Sequence, residues 1–174
     1  MEKMCIRDRP NVVRAINHIN EKYGRTVCTL DIYGKVEDRF KDEFEELNNE
    51  FGENIRYMGI VDFEKSVQVL KDYYMLVFPT LYYTEGIPGT IIDAFAAGLP
   101  IISSEWESCY DILDDSVGIM YQFNDDEDLE KKIDYAIQNS NLVNIMRKNC
   151  IDKAKQYLPE NAIADLVDIL GSEK

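Results

Sequence analysis

Residues 85 to 103, Glu85-Gly86-Ile87-Pro88-Gly89-Thr90-Ile91-Ile92-Asp93-Ala94-Phe95-Ala96-Ala97-Gly98-Leu99-Pro100-Ile101-Ile102-Ser103, read as a Gly/Pro-rich loop, an apolar helix and a buried strand in succession. Pro88 suits the first helical position, because its fixed φ is already helical and its missing N–H would have no partner inside the helix. Ile91, Ile92, Phe95 and Gly98 give that helix a packed side. Glu85 then stands in the loop, and Asp93 lies about a turn and a half inside the helix. The N–H groups of Gly89 and Thr90 point out of the helix N-terminus, where unsatisfied donors and the positive end of the macrodipole hold phosphate. Two carboxylates eight positions apart on either side of such a site are unsuited to phosphate. They are suited to accepting hydrogen bonds from neutral sugar hydroxyls. A nucleotide-sugar has this layout: hydroxyls, diphosphate, hydroxyls.

Outward from this stretch the chain alternates helix-like and strand-like segments. Upstream, Tyr74 to Phe78 is a continuous apolar run suited to a strand buried on both faces, matched downstream by Pro100 to Ser103. Val12, Ile16, Ile19 and Tyr23 recur at helical spacing and Gly24 closes the helix. His18, the only histidine, falls on the polar face of that helix and reads as a surface residue. Thr26 to Tyr33 is a β-branched strand ending at Gly34, followed by an amphipathic helix marked by Phe40, Phe44, Leu47 and Phe51. Ile55 to Met58 is a short strand ending at Gly59, and Phe63, Val67 and Leu70 mark a third helix. A loop or short helix around Tyr110 to Leu113 precedes a strand from Val117 to Phe123. Leu129, Ile133, Ala136 and Ile137 then define a helix, with two more expected over 141–157 and 160–171. Strands separated by helices of this length form right-handed βαβ units. The expected fold is a Rossmann-like, doubly wound α/β domain, a parallel sheet with helices on both faces.

Composition narrows the function. With 174 residues the chain is long enough for one domain with a sizeable core, and 45% hydrophobic with 30% charged residues reads as globular and soluble. The longest apolar stretch, near Ile91 to Ile102, is broken by Asp93, Gly98 and Pro100 and falls short of a membrane span. The N-terminus has no apolar h-region, so no signal peptide is read and a cytoplasmic protein is expected. Cys5, Cys28, Cys109 and Cys150 share no metal-ligand spacing and read as free thiols in a reducing compartment. A formal charge of -14 repels phosphate backbones and argues against nucleic acid as a partner, while leaving room for a small nucleotide held by local backbone donors. The acidic runs Glu37 to Glu50 and Asp125 to Glu130 are patterned as solvated helix faces.

The N-terminus departs from the pattern. A doubly wound unit opens on its central strand, whereas this chain opens on a helix, and nothing in Met1 to Arg9 supplies a strand. Met4-Cys5-Ile6-Arg7-Asp8-Arg9 also resembles a translated sequencing-adapter scar. Residues 1–9 are therefore expected to be a non-native or disordered leader on an N-terminally truncated chain, and residues 10–174 the domain proper.

Phe78-Pro79-Thr80, Glu85-Gly86-Ile87-Pro88 and Asp93-Ala94-Phe95-Ala96-Ala97-Gly98-Leu99-Pro100-Ile101-Ile102, in this order, resemble the C-terminal domain of retaining glycosyltransferases of family four, one half of the GT-B fold. Tyr57-Met58-Gly59-Ile60-Val61 is similar to that family's strand-then-glycine turn, and Phe123 to Leu129 to its Asp-rich helix entry. The resemblance runs from about Asn11 to the last helix. It implies that Glu85, as the first acid of the family's E-x7-E motif, meets the transferred sugar and is the catalytic-site residue. It implies that Asp93, one methylene shorter than the usual glutamate, meets the nucleotide ribose. Backbone N–H groups near Gly86 and Ile87 would face the donor sugar and those near Gly89 and Thr90 the diphosphate, with Gly34, Lys35, Met58, Val61 and Lys65 bordering the nucleotide. The family's Gly-Arg-x-x-x-x-Lys-Gly segment does not precede Pro10. Its acceptor-binding N-terminal domain is absent from the sequence as well, and any membrane contact would be made through that domain.

The implied reaction moves a glycosyl group from a nucleoside diphosphate sugar to an acceptor with retention, for polysaccharide or glycoconjugate synthesis. The leaving diphosphate gathers negative charge, which N–H donors fixed at a helix end stabilise without reorganising. No metal or other cofactor is expected. The one Asp-x-Asp match, Asp126-Glu127-Asp128, opens a helix whose dipole it complements. Two alternatives stay open: a non-catalytic nucleotide-binding or interaction subunit, and a nucleotide-sugar epimerase on the same scaffold. The isolated chain is expected to be inactive in transfer.

Overall fold

The computed structural model describes residues 8–162. Five parallel strands alternate with helices: α1 (Arg9–Tyr23), β1 (Leu30–Tyr33), α2 (Lys41–Asn49), β2 (Ile55–Gly59), α3 (Ser66–Leu70), β3 (Leu76–Phe78), α4 (Gly89–Ala97), β4 (Ile101–Ser104), α5 (Cys109–Ile112), β5 (Gly118–Tyr121), α6 (Asp126–Gln138), α7 (Ser140–Ala154) and α8 (Pro159–Ala162). Single 3-10 turns lead into α2 and α3 and follow α7. The remainder of the helix expected over 160–171 lies outside the described residues, as does most of the expected leader. Arg9, assigned to that leader, is already helical.

Adjacent sheet residues send their side chains to opposite faces, and both faces are apolar. Ile102, Ile119 and Tyr121 point into a core built with Val12, Ile16 and Ile19 of α1 and Leu129 and Ile133 of α6. Ile101 and Met120 point the other way, into a core with Ile91, Ala94 and Phe95 of α4 and Ile112 of α5. This alternation makes the architecture doubly wound, and α7 closes it by giving Val143 and Met146 to the first core and Cys150 to the second. Phe95, fully buried in the second core, contributes roughly 2–3 kcal/mol of burial. Gly98 ends α4 in the left-handed conformation at φ 67, while the Leu99 N–H reaches back to the Ala94 carbonyl (2.8 Å).

The sheet is divided. β1 pairs with β2, and β3, β4 and β5 pair in that order, but among the described residues β1 and β3 do not pair with each other. A cavity of about 850 Å³ lies between the two parts, lined by Val27, Cys28 and Asp31 on one side and Tyr73, Met75 and Val77 on the other. Side chains span it where the backbone does not. Tyr73 donates to the Asp31 carboxylate (2.7 Å) and shares a hydrogen bond with Tyr33 (2.6 Å), while Arg56 grips Asp31 with two bonds of 2.8 and 2.9 Å. Burial raises the Asp31 carboxyl, but the hydrogen bonds from Arg56 and Tyr73 outweigh it and hold the group below its ordinary value.

Candidate functional site

The loop from Pro79 to Pro88 follows β3 and delivers the chain to α4. Pro88 does not occupy the first helical position, as its sequence context suggested; its backbone is extended (φ -71, ψ 125) and Gly89 opens the helix. The Pro88 carbonyl accepts from the N–H groups of Ile91 (3.0 Å) and Ile92 (3.4 Å), so the α4 ladder begins at Ile91. The Gly89 N–H precedes that ladder and has no acceptor among the described residues. Open space faces both Gly86 and Gly89, where an added Cβ would meet nothing within 4 Å. Ile87 projects beside them, 65% exposed. Thr90 is half-buried in the first turn of α4. The helix end thus offers its partial positive charge to an accessible surface.

Glu85 is half-buried and held by the Thr80 hydroxyl, which donates to its Oε2 (3.2 Å). Asp93, also half-buried, makes no hydrogen bond or ion pair with the described residues and keeps its acceptors available.

The other residues singled out from the sequence stand at the carboxyl ends of β1 and β2, the edge on which open α/β sheets bind ligands. Gly34 and Gly59 meet through the Gly34 N–H and the Gly59 carbonyl (2.8 Å), and the Tyr57 hydroxyl donates to the Gly34 carbonyl (2.7 Å). Lys35 and Met58 are exposed beside them, and Val61 is half-buried. Lys65 ends the 3-10 turn before α3 and pairs with Asp62 (3.1 Å), leaving its ammonium exposed. α3 packs on α4, which links this group to the Glu85–Asp93 group. No hydrogen bond joins the two groups directly among the described residues.

Asp8, assigned to the leader by its place in the sequence, is buried within electrostatic reach of Glu85. It is 7% exposed. Burial pushes its carboxyl up to about 6 against the pull of Arg9, and the Glu85 carboxylate adds to the rise. Its Oδ1 and the Arg9 Nε are buried without a hydrogen-bond partner. The signal that could have found it is its place one residue before an apolar helix. Trp106 similarly buries an indole N–H without a partner in the turn after β4.

The remaining sequence features resolve into scaffold. His18 pairs with Glu130 (2.7 Å) on the exposed side of α1 and α6. Asp125 caps α6 by accepting the Asp128 N–H (2.8 Å), and Asp128 accepts from the Gln122 N–H (2.8 Å). Among the described residues no group of three or more His, Cys, Asp or Glu is arranged to hold a metal ion. Cys28, Cys109 and Cys150 are unbridged, and burial pushes the Cys150 thiol up to about 12. No described helix is long and apolar enough to cross a membrane.

Comparison with known proteins bears on the family and the fold. The chain is 28% identical over 153 residues to an uncharacterised glycosyltransferase of Methanocaldococcus jannaschii, covering 87% of this chain and 37% of that protein. The chain therefore spans little more than a third of that relative's length. Its fold matches the C-terminal domain of a glycosyl transferase group 1 family protein from Francisella tularensis with a TM-score of 0.71 at 19% identity, covering 84% of this chain and 77% of that one. It also matches the Anabaena protein HepE, solved with UDP and glucose, with a TM-score of 0.70 at 12% identity, covering 92% of this chain and 52% of that one. These likenesses show a GT-B, Rossmann-like domain. Residues 10–139 match the model of the glycosyl transferases group 1, and the chain belongs to that family.

Proposed function

We propose that this chain is the donor-binding half of a retaining glycosyltransferase, holding a nucleoside diphosphate sugar at the carboxyl edge of its sheet. The observation that carries the reading is the pair of half-buried carboxylates, Glu85 in the loop before the accessible N-terminus of α4 and Asp93 in the helix's second turn. A diphosphate placed at the Gly89 N–H has fixed donors and a helix dipole against its charge. A sugar on the Glu85 side and a ribose on the Asp93 side then find acceptors for their hydroxyls. The UDP and glucose bound to HepE supply the ligand class by analogy.

Chemically, the chain's contribution is to the leaving group. Cleavage of the glycosidic bond to the diphosphate leaves negative charge on the β-phosphate, and a helix end already pointed at it lowers the barrier without reorganising. Glu85 orients the sugar while its anomeric carbon becomes electron-poor. Gly34, Lys35, Met58, Val61 and Lys65 border the nucleotide, and charge compensation comes from backbone donors and cationic side chains with no metal. The acceptor is held by a second domain, which also makes any membrane contact, and the whole acts in the cytoplasm.

Calorimetry of the chain with UDP-glucose, UDP-N-acetylglucosamine and GDP-mannose tests this. Weak binding of at least one is expected, with no transfer by the chain alone. Glu85→Ala with Asp93→Ala is expected to abolish binding, and unchanged affinity in that double variant overturns the site. Asp93→Glu restores the reach of the missing methylene and is expected to tighten nucleotide binding about threefold, a fraction of one hydrogen bond.

A further inference from the structure

Glu85 stands at the end of a series of hydrogen bonds that begins on the neighbouring strand. β3 ends at Phe78, opposite Ser103 of β4, and Pro79 follows. Proline has no N–H, so the backbone ladder cannot run past this point. A side chain continues it: the Ser104 hydroxyl donates to the Thr80 carbonyl at 2.7 Å, with Ser104 fully buried. One residue earlier the Ser103 hydroxyl donates to the Phe78 carbonyl at 3.2 Å. The chain thus leaves the sheet with its direction fixed at Thr80, which is 5% exposed.

The Thr80 hydroxyl then works in two directions. It accepts the Tyr82 N–H (3.1 Å), which folds the chain back in a turn. It donates its one hydrogen to Glu85 Oε2 (3.2 Å). A hydroxyl with a single hydrogen and an acceptor lone pair already used has little freedom left. The middle of the loop is tied down separately, by the Glu107 N–H on the Tyr83 carbonyl (2.9 Å). The turn itself requires only that Thr80 accept from Tyr82; the bond to Glu85 is additional, and it is aimed at the carboxylate proposed to face the sugar.

We infer that Thr80, held by Ser104, is a positioning residue that fixes the Glu85 carboxylate for recognition of the donor sugar, as distinct from the nucleotide. The inference rests on the donor-site reading of Glu85. One oxygen of the carboxylate is occupied by the protein, leaving the other to present its acceptor lone pairs to the sugar in one orientation. Loss of the Thr80 hydroxyl leaves the helix end and Asp93 as they are, so nucleotide binding persists while its sugar-dependent part declines.

The test measures, by calorimetry, UDP and whichever of UDP-glucose and UDP-N-acetylglucosamine binds, in the unaltered chain, Thr80→Val, Thr80→Ser and Glu85→Gln. Thr80→Val keeps shape but removes both hydrogen bonds. It is expected to weaken the UDP-sugar about five- to tenfold and UDP less than twofold, with Thr80→Ser within about twofold of the parent for both. Equal loss for UDP and UDP-sugar, or no rescue by serine, assigns Thr80 to loop structure alone and overturns the inference. If Glu85→Gln leaves the sugar-dependent part intact, the donor-site reading falls instead, and no UDP-sugar binding by the parent has the same meaning. A ligand-free measurement decides the positioning in every case. Three-bond NMR couplings of the Glu85 side chain are expected to report one rotamer in the parent and Thr80→Ser and averaging in Thr80→Val. Identical couplings in all three overturn it.

Discussion

Tyr73→Phe removes one oxygen atom from the side-chain bridge that spans the divided sheet. The Tyr73 hydroxyl gives its hydrogen to Asp31, whose side chain is 6% exposed, and accepts one from Tyr33. A hydrogen bond to a buried carboxylate is worth about 1.5–3 kcal/mol. Tyr33 is half-buried and can turn its released hydroxyl to water, so little is added on that side. The ring of phenylalanine fills the same space, which leaves no cavity. The expected cost is about 2 kcal/mol at neutral pH, or roughly 5 °C in Tm for a domain of this size. The pH dependence gives a second signature. Asp31 is held below its ordinary value, so its stabilisation is complete above that value and lost as pH falls through the lowered one. Removing a donor to the carboxylate raises the folded-state value toward the unfolded one, so the variant loses less stability to acid than the parent and completes that loss at a higher pH. Thermal and urea unfolding between pH 2.5 and pH 7 measure both effects. A variant within about 0.5 kcal/mol of the parent with an unshifted acid limb refutes the assignment of Tyr73 as a bridge.

Two further substitutions follow from the structure. Asp8→Asn is expected to stabilise the chain by about 2 kcal/mol at pH 7 and little at pH 4: the folded-state value is raised to about 6, so the native chain loses stability as pH rises from its ordinary value through that point, and asparagine does not. Parallel urea titrations at the two pH values check it, and an equal effect at both contradicts it. Gly118→Ala would put a Cβ 2.6 Å from the Ile101 carbonyl oxygen, a backbone atom in the partner strand. β4 and β5 must separate to admit it, with a loss of about 2–3 kcal/mol by urea unfolding.

The succession of helices and strands along the described chain was legible because apolar period and Gly/Pro punctuation are local signals. Strand lengths were not, and particular side chains show why. The strand expected over Thr26 to Tyr33 begins only at Leu30, because Asn20 of α1 accepts the Val27 and Cys28 N–H groups and donates to the Cys28 carbonyl. A side chain has taken the bonds a ladder would use. The strand expected from Tyr74 begins at Leu76 for the same reason, since the Arg147 guanidinium donates to the carbonyls of Tyr73 and Tyr74. Arg147 is far off in sequence, on α7, and Asn20, though only seven residues before Val27, sits within α1, where nothing in the apolar period marks it as a partner. The single sheet expected from strand alternation is likewise divided, with Tyr73 bridging to Asp31 and Tyr33 where β1 and β3 do not pair.

The candidate site divides along the same line. Gly86, Pro88 and Gly89 were legible because they stand together in sequence and each type has a backbone consequence at a helix entry, even though Pro88 proved to be the cap and not the first helical residue. What aims Glu85 was not, since it depends on register. Thr80 meets Ser104 only because Phe78 pairs with Ser103 and Pro79 then ends the ladder, so the next contact between the strands has to come from a side chain. A one-residue slip of β4 would send the Ser104 side chain to the opposite face. The proposed catalytic geometry therefore depends on the pairing of two buried strands, and a substitution that shifts β4, such as Gly118→Ala, reaches Glu85 through Ser104 and Thr80 without touching the site.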